Sequence, residues 1–113
     1  MKLAIIGSRN ITNIDIEQYI PQGVTEIVSG GAKGVDALAK QYATNKNIKY
    51  TEFPPDYSKF KKYAPLKRNE KIASYSDGAL VFWDSASKGT QHTINCFKKQ
   101  NKDVILIIVG QNA

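Results

Sequence analysis

Three glycines crowd into five positions, Gly30, Gly31 and Gly34, within the stretch Ser29 to Asp36, SGGAKGVD. An apolar run, Val24 to Val28, precedes it, and a helical pattern follows at once. Glycines at such a place let backbone N–H groups approach an anion at the positive end of a helix. A second stretch, Ser87-Lys88-Gly89-Thr90, repeats the arrangement before another helical pattern. The chain has only two arginines: Arg9, directly after the first apolar run, and Arg68, in the segment that follows the third. A guanidinium offers forked donors that match a phosphate. Together these residues predict a site for a phosphate or pyrophosphate. Ser8 can donate to phosphate, but no base nearby in the sequence would make it a nucleophile. Asp36 can accept from a ribose hydroxyl or balance its helix dipole. Asp84 can bind ribose, act as a base or shape a turn; as one acid it makes no acid–base pair. Asn69 reads as a loop-ordering or ligand-bonding amide. His92, the only histidine, reads as a surface residue one turn into the last helix.

The elements that must position these residues alternate in type. Lys2 to Ile6 is an apolar strand ending at Gly7. Thr12 or Asn13 is placed to cap a short helix over Asp15 to Ile20, which Pro21 and Gly23 end. Val24 to Val28 is the second strand. Val35, Leu38, Ala39, Tyr42 and Ala43 recur at helical spacing. Ile48 to Phe53 is the third strand, stopped by Pro54-Pro55. The following stretch, Asp56 to Pro65, reads as a long basic, aromatic loop, in which Tyr57, Phe60 and Tyr63 alternate with Lys59, Lys61 and Lys62. It is either a stacking lid for a base or a crossover pinned by its own rings. A helix resumes near Leu66 and runs to Tyr75. Ala79 to Trp83 is the fourth strand, Thr90 to Lys99 the last helix and Val104 to Val109 the fifth strand. Trp83 and Tyr42 read as core.

Strands alternating with helices predict an α/β fold, a Rossmann-like three-layer sandwich with a five-stranded, mainly parallel sheet in the order 3-2-1-4-5. The apolar first, fourth and fifth strands fit a sheet covered on both faces. Ligands in such folds bind beyond the carboxyl ends of the strands, at the topological switch. Gly7, Ser8, Arg9, the SGGAKGVD stretch, Arg68, Asn69 and the Asp84 to Thr90 loop all fall at that edge.

The length, 113 residues, suits one domain, residues 1–113. No apolar run approaches the ~20 residues of a membrane helix. The N-terminal apolar run is too short for a signal peptide and reads as a strand. Cys96, the only cysteine, reads as a buried apolar residue. The expected location is cytoplasmic. The net charge of +6 favours anionic partners. No G-x-x-x-x-G-K-[ST] stretch is present, which disfavours a P-loop NTPase, and no G-x-G-x-x-G follows the first strand. A receiver domain would need acids where Gly7-Ser8-Arg9 and Pro54-Pro55 stand. No Cys/His spacing suits a metal.

Gly7-Ser8-Arg9, SGGAKGVDALA from Ser29 to Ala39, KRNEKIASYSD from Lys67 to Asp77 and VFWDSASKGTQHTI from Val81 to Ile94 resemble the SLOG superfamily. That Rossmann-like group includes DprA proteins and LOG phosphoribohydrolases. The chain is most similar to its small YspA-like, YpsA-related branch. The resemblance implies a nucleotide or nucleotide-derived ligand. It implies one ligand loop with Gly30, Gly31, Gly34 and Asp36, and a phosphate loop with Ser87, Lys88, Gly89 and Thr90. Arg9, Arg68 and Asn69 fall on its motif positions. Hydrolytic LOG members carry a glutamate three residues after the threonine of a Gly-Gly-x-Gly-Thr pattern; Thr93 stands there here. DprA carries further domains that these 113 residues do not include.

The resulting expectation is a nucleotide-binding sensor or carrier, with no catalytic residue, metal ligand or cofactor assigned. Gly7, Ser8, Arg9, Ser29, Gly30, Gly31, Gly34, Asp36, Arg68, Asn69, Asp84, Ser87, Lys88, Gly89 and Thr90 are its candidate ligand-binding residues. The alternatives are a nucleotide hydrolase of phosphoribohydrolase type and a single-stranded nucleic-acid-binding module. The expected partner is a nucleotide-type small molecule, with nucleic acid and a second copy of the chain as further candidates and no membrane.

Overall fold

The structure, a computed structural model, describes residues 1–110. Its five strands are β1 (Lys2–Gly7), β2 (Glu26–Ser29), β3 (Lys49–Glu52), β4 (Gly78–Trp83) and β5 (Asp103–Ile108). They form one sheet in the order 3-2-1-4-5. Every neighbouring pair is parallel. The helices are α1 (Val35–Asn45), α2 (Tyr57–Phe60), α3 (Ala64–Tyr75) and α4 (Lys88–Lys99). Parallel strands need crossovers, so each face of the sheet acquires a layer. On one face Leu3, Ile5, Ile27, Leu80 and Phe82 pack with Val35, Ala39 and Ala43 of α1. On the other, Ala4, Ile6, Val28, Ala79 and Val81 pack with Ile72 of α3 and Ile94 and Phe97 of α4. The side-chain period of two along each strand divides β1 cleanly between the two cores.

Four expectations need correction. The helix over Asp15 to Ile20 is only a 3₁₀ turn, Glu17–Tyr19, with Ile16 at its N-cap and no side-chain capping bond. Six residues form too few i→i−4 bonds to offset helix nucleation. The segment instead buries Ile11 and Ile16 against the α1 core. The stretch after Pro55 is not a loop. Asp56 caps α2 by accepting from the Lys59 N–H at 3.2 Å, a 3₁₀ turn covers Lys61–Tyr63, and α3 begins at Ala64. Pro65 is accommodated because the first turn of a helix needs no proline N–H. Third, β5 is an edge strand and is not covered on both faces: Ile105, Leu106 and Ile108 are 42%, 39% and 56% exposed. Fourth, Trp83 is half-buried, and its indole N–H donates to the Ser87 carbonyl at 2.9 Å, bracing the turn into α4. No described helix is long and apolar enough to cross a membrane.

Candidate functional site

The carboxyl ends of β1, β2 and β4 and the first turns of α1, α3 and α4 enclose a cleft of about 460 Å³. That size suits a small organic ligand. Of the fifteen candidate residues, eleven line it: Gly7, Ser8, Arg9, Gly30, Asp36, Arg68, Asn69, Asp84, Ser87, Gly89 and Thr90. Ser29, Gly31, Gly34 and Lys88 do not.

The SGGAKGVD backbone is approached closely by the protein's own atoms. A Cβ on Gly30 would lie 2.5 Å from Arg68 Nη1 and 3.1 Å from Asp36 Oδ2. On Gly31, at φ +78°, it would meet the Glu52 carboxyl at 2.6 Å. Gly34, at φ +76° and capping α1, would meet the Arg9 carbonyl at 2.6 Å. Gly7 gives the same room to Val35, whose Cγ2 would lie 2.6 Å from an added Cβ. Gly89 is different: nothing lies within 4 Å of where its Cβ would be.

The two helix starts are also unlike. At α1, Asp36 is buried, and its Oδ2 accepts from the Ala32 N–H at 3.2 Å. Burial pushes the Asp36 carboxyl above its usual range, opposed by that hydrogen bond and by the Arg68 charge. A carboxylate therefore already occupies the positive end of α1. At α4, the N-cap Ser87 makes no side-chain capping bond and the first turn holds no acid. Ser87 Oγ lies 3.2 Å from Thr90 Oγ1 instead. Gly89 and Thr90 of that first turn line the cleft, where a helix leaves its first N–H groups without intrahelical partners and places the positive end of its dipole.

Arg68 and Arg9 divide in the same way. Arg68 Nη1 donates to the Gly30 carbonyl at 2.9 Å and the Phe53 carbonyl at 3.4 Å, and its Nε to Asn69 Oδ1 at 3.0 Å. It ties the ends of β2 and β3 to α3. Arg9 is exposed, lines the cleft and makes no hydrogen bond or ion pair among the described residues. Asp84 Oδ1 accepts from the N–H groups of Ala86, at 2.9 Å, and Ser87, at 2.7 Å, which hold its carboxyl below the usual range. Ser8 is buried, and its hydroxyl accepts from the Asp84 N–H at 3.2 Å.

The cleft also contains residues outside the fifteen candidates. Ile6, Pro65, Leu66 and Ile72 give it an apolar wall, and Asn10 and Thr93 join its polar lining. Leu66 and Thr93 were findable from helical spacing, as neighbours of Asn69 and Thr90 on the same faces. Asn10 lies in the loop after β1 and carried no periodic signal. Thr93 is buried, and its hydroxyl donates to the Gly89 carbonyl at 3.1 Å.

An all-parallel 3-2-1-4-5 sheet with a cleft at its carboxyl edge defines a Rossmann-like α/β domain. The family model of the YspA, cpYpsA-related SLOG family matches residues 1–60, and the chain belongs to that family. The matched part holds Gly7-Ser8-Arg9 and the whole glycine stretch; Arg68, Asn69 and the start of α4 lie beyond it. Comparison with curated proteins and with solved structures returned no match.

Proposed function

We propose that the domain binds a nucleotide or nucleotide-derived small molecule in this cleft, as a sensor or carrier. The observation that carries the reading is the start of α4. It is a helix N-terminus with no acid in its first turn and no capping bond from the Ser87 side chain, the Asp84 carboxylate reaching the Ala86 and Ser87 N–H groups before it. It stands at a glycine with open space before it and faces a cleft that also holds Arg9, which has no polar partner among the described residues. A phosphate there accepts from the Gly89 and Thr90 N–H groups and from the Arg9 guanidinium. The apolar wall of Pro65, Leu66 and Ile72 suits the base. Binding is favoured over hydrolysis because the cleft's two acids, Asp36 and Asp84, are both engaged in shaping loops, and Thr93 stands where hydrolytic relatives carry glutamate.

The test is thermal unfolding against AMP, ADP, ATP, NAD and ADP-ribose, with chromatography for turnover. Ligand at a hundred times its dissociation constant adds about 2.7 kcal/mol. In a domain of this size that raises Tm by roughly ten degrees. No shift with any of them, at millimolar concentration, would count against the reading.

A second reading rests on a separate observation. Residues 59–71 contain six of the sixteen lysines and arginines and one of the ten acids. Five of the six net positive charges therefore lie in this segment, beside the exposed rings of Tyr57 and Tyr63. Lysines next to open rings suit a single-stranded nucleic acid. Steep loss of oligonucleotide affinity with salt separates this from small-ligand binding.

A further inference from the structure

Asn69 is 6% exposed, lines the cleft and is held from both sides. Its Oδ1 takes the Arg68 Nε–H at 3.0 Å, and its Nδ2 lies 3.2 Å from His92 Nδ1. The direction of this chain follows from chemistry alone. An arginine Nε is a donor and never an acceptor, so the facing atom of Asn69 must be its carbonyl oxygen. The amide nitrogen then points at His92 as a donor, and His92 Nδ1 must accept. Only the neutral imidazole with its proton on Nε2 can do so. An imidazolium would set two donors against each other. Turning the amide over would only move the conflict to Arg68.

We infer that His92 is a positioning residue for the cleft: its neutral Nε2–H tautomer holds the Asn69 amide and, through it, Arg68, and protonation of His92 releases that wall. The surroundings leave this chain to be set by the proton. Facing His92 from its own helix are Cys96, whose Sγ is 3.8–3.9 Å from the ring nitrogens, and the groove neighbours Lys98 and Lys99. From α3 come Arg68 and Asn69, with Glu70 acting on the Cys96 thiol. Burial pushes that thiol up, so it stays protonated and supplies no anion. Among the described residues no carboxylate lies within ion-pair distance of His92 to hold an imidazolium in place. The effect on the cleft rests on the nucleotide-site reading; the state of the imidazole does not.

Because His92 is the only histidine, its ring nitrogens can be read in the whole chain by ¹⁵N NMR without ambiguity. At pH 8 the expected result is the Nε2–H tautomer, and in Asn69→Ala a loss of that preference. On acidification the Asn69 side-chain amide signals should move with the same midpoint as the ring. An Nδ1–H tautomer at pH 8, or Asn69 signals indifferent to the ring, would overturn the inference whatever the cleft binds. In a second arm AMP is titrated calorimetrically from pH 8 to pH 5. AMP loses affinity on its own as its phosphate protonates near pH 6. The wild type should lose up to a further tenfold per pH unit below the His92 midpoint, compared with His92→Asn, whose Oδ1 stands at the Nδ1 position and keeps an acceptor that does not titrate. Equal profiles for the two, or a wild type that gains affinity on acidification, would overturn the role in the cleft. If AMP fails to bind either chain, the nucleotide reading fails and the ring nitrogens still decide the inference.

Discussion

At the scale of single residues, the two arginines look alike in the sequence and separate in the structure. Arg9 makes no hydrogen bond or ion pair among the described residues, so Arg9→Ala should leave Tm unchanged and weaken AMP binding. The expected loss is about 1.5–3 kcal/mol, that of a hydrogen bond to a charged group. Arg68 joins two loop carbonyls and faces Asp36. Arg68→Ala should therefore cost about 1.5–3 kcal/mol of stability before any ligand is added. Calorimetry beside thermal unfolding checks both; the reverse pattern would make Arg68 the phosphate ligand. The glycines divide along the same line. Gly34→Ala must put a Cβ 2.6 Å from a backbone oxygen at φ +76°, and should cost at least ~1 kcal/mol. Gly89→Ala meets no protein atom and gains helix propensity, so it should stabilise the free chain by about 0.5–1 kcal/mol. It should still weaken AMP binding, because the open space before Gly89 is where the phosphate is proposed to sit. If Gly89→Ala binds AMP as the wild type does, the phosphate is elsewhere.

At the scale of elements, strand order and helix identity were legible because period and punctuation agreed. Lys2 to Gly7 is apolar and ends at glycine, and Val35, Ala39 and Ala43 mark one helical stripe. What was lost depended on tertiary partners. Gly30 and Gly31 read as space for a ligand; the atoms that fill it belong to Arg68 and Glu52, far away in sequence. His92 read as surface because its partner, Asn69, lies on another helix. Glu26 is another case, an acid at the start of β2 that the linear reading could not place. It is buried, accepting from Thr51 Oγ1 at 2.6 Å and from the Tyr75 hydroxyl, with Lys49 Nζ 3.6 Å away. It thereby ties β2 to β3 and to the end of α3. Burial alone would raise its pKa; the Thr51 and Tyr75 hydrogen bonds and the Lys49 and Lys2 charges outweigh burial and set it below its ordinary value of 4.5. The folded chain thus binds the Glu26 proton less readily than the unfolded chain. The stabilisation is complete above that ordinary value and is lost as pH falls through the lower, folded one. Glu26→Gln should cost about 1.5–3 kcal/mol at pH 7. Denaturant unfolding should find that cost shrinking below pH 4.5; a cost independent of pH would mean that the charge contributes nothing.

At the scale of the whole molecule, charge is arranged as unevenly as polarity. Outside residues 59–71 the chain carries ten cations and nine acids, so the basic character belongs to one corner, from α2 to the middle of α3. Tyr57 and Tyr63 stand there 58% and 55% exposed, and Lys62 Nζ lies 5.3 Å from the centre of the Tyr63 ring. Phe60 is flanked by Lys59 and Lys71, at 5.2 and 5.8 Å from its ring centre. The corner adjoins the cleft, since α3 supplies Pro65, Leu66, Arg68 and Asn69 to it. If it holds a single strand, a labelled oligothymidylate should bind with log affinity falling linearly against log salt, by about 0.7 for each phosphate contacted. Replacing Lys59, Lys61 and Lys62 together by glutamine should lower that slope by about two. Tyr57→Ala and Tyr63→Ala should each cost about 1–3 kcal/mol while leaving the slope alone, because stacking releases no counterions. These side chains are exposed, so the fold should survive every substitution, and an unchanged Tm checks that it does. Arg9→Ala then separates the two readings. Oligonucleotide binding that survives it, while AMP binding is lost, assigns the corner and the cleft to different ligands. Loss of both makes the cleft the seat of the strand's terminal phosphate. A slope that ignores the three lysines would leave the corner as a solvated face whose charge serves solubility alone.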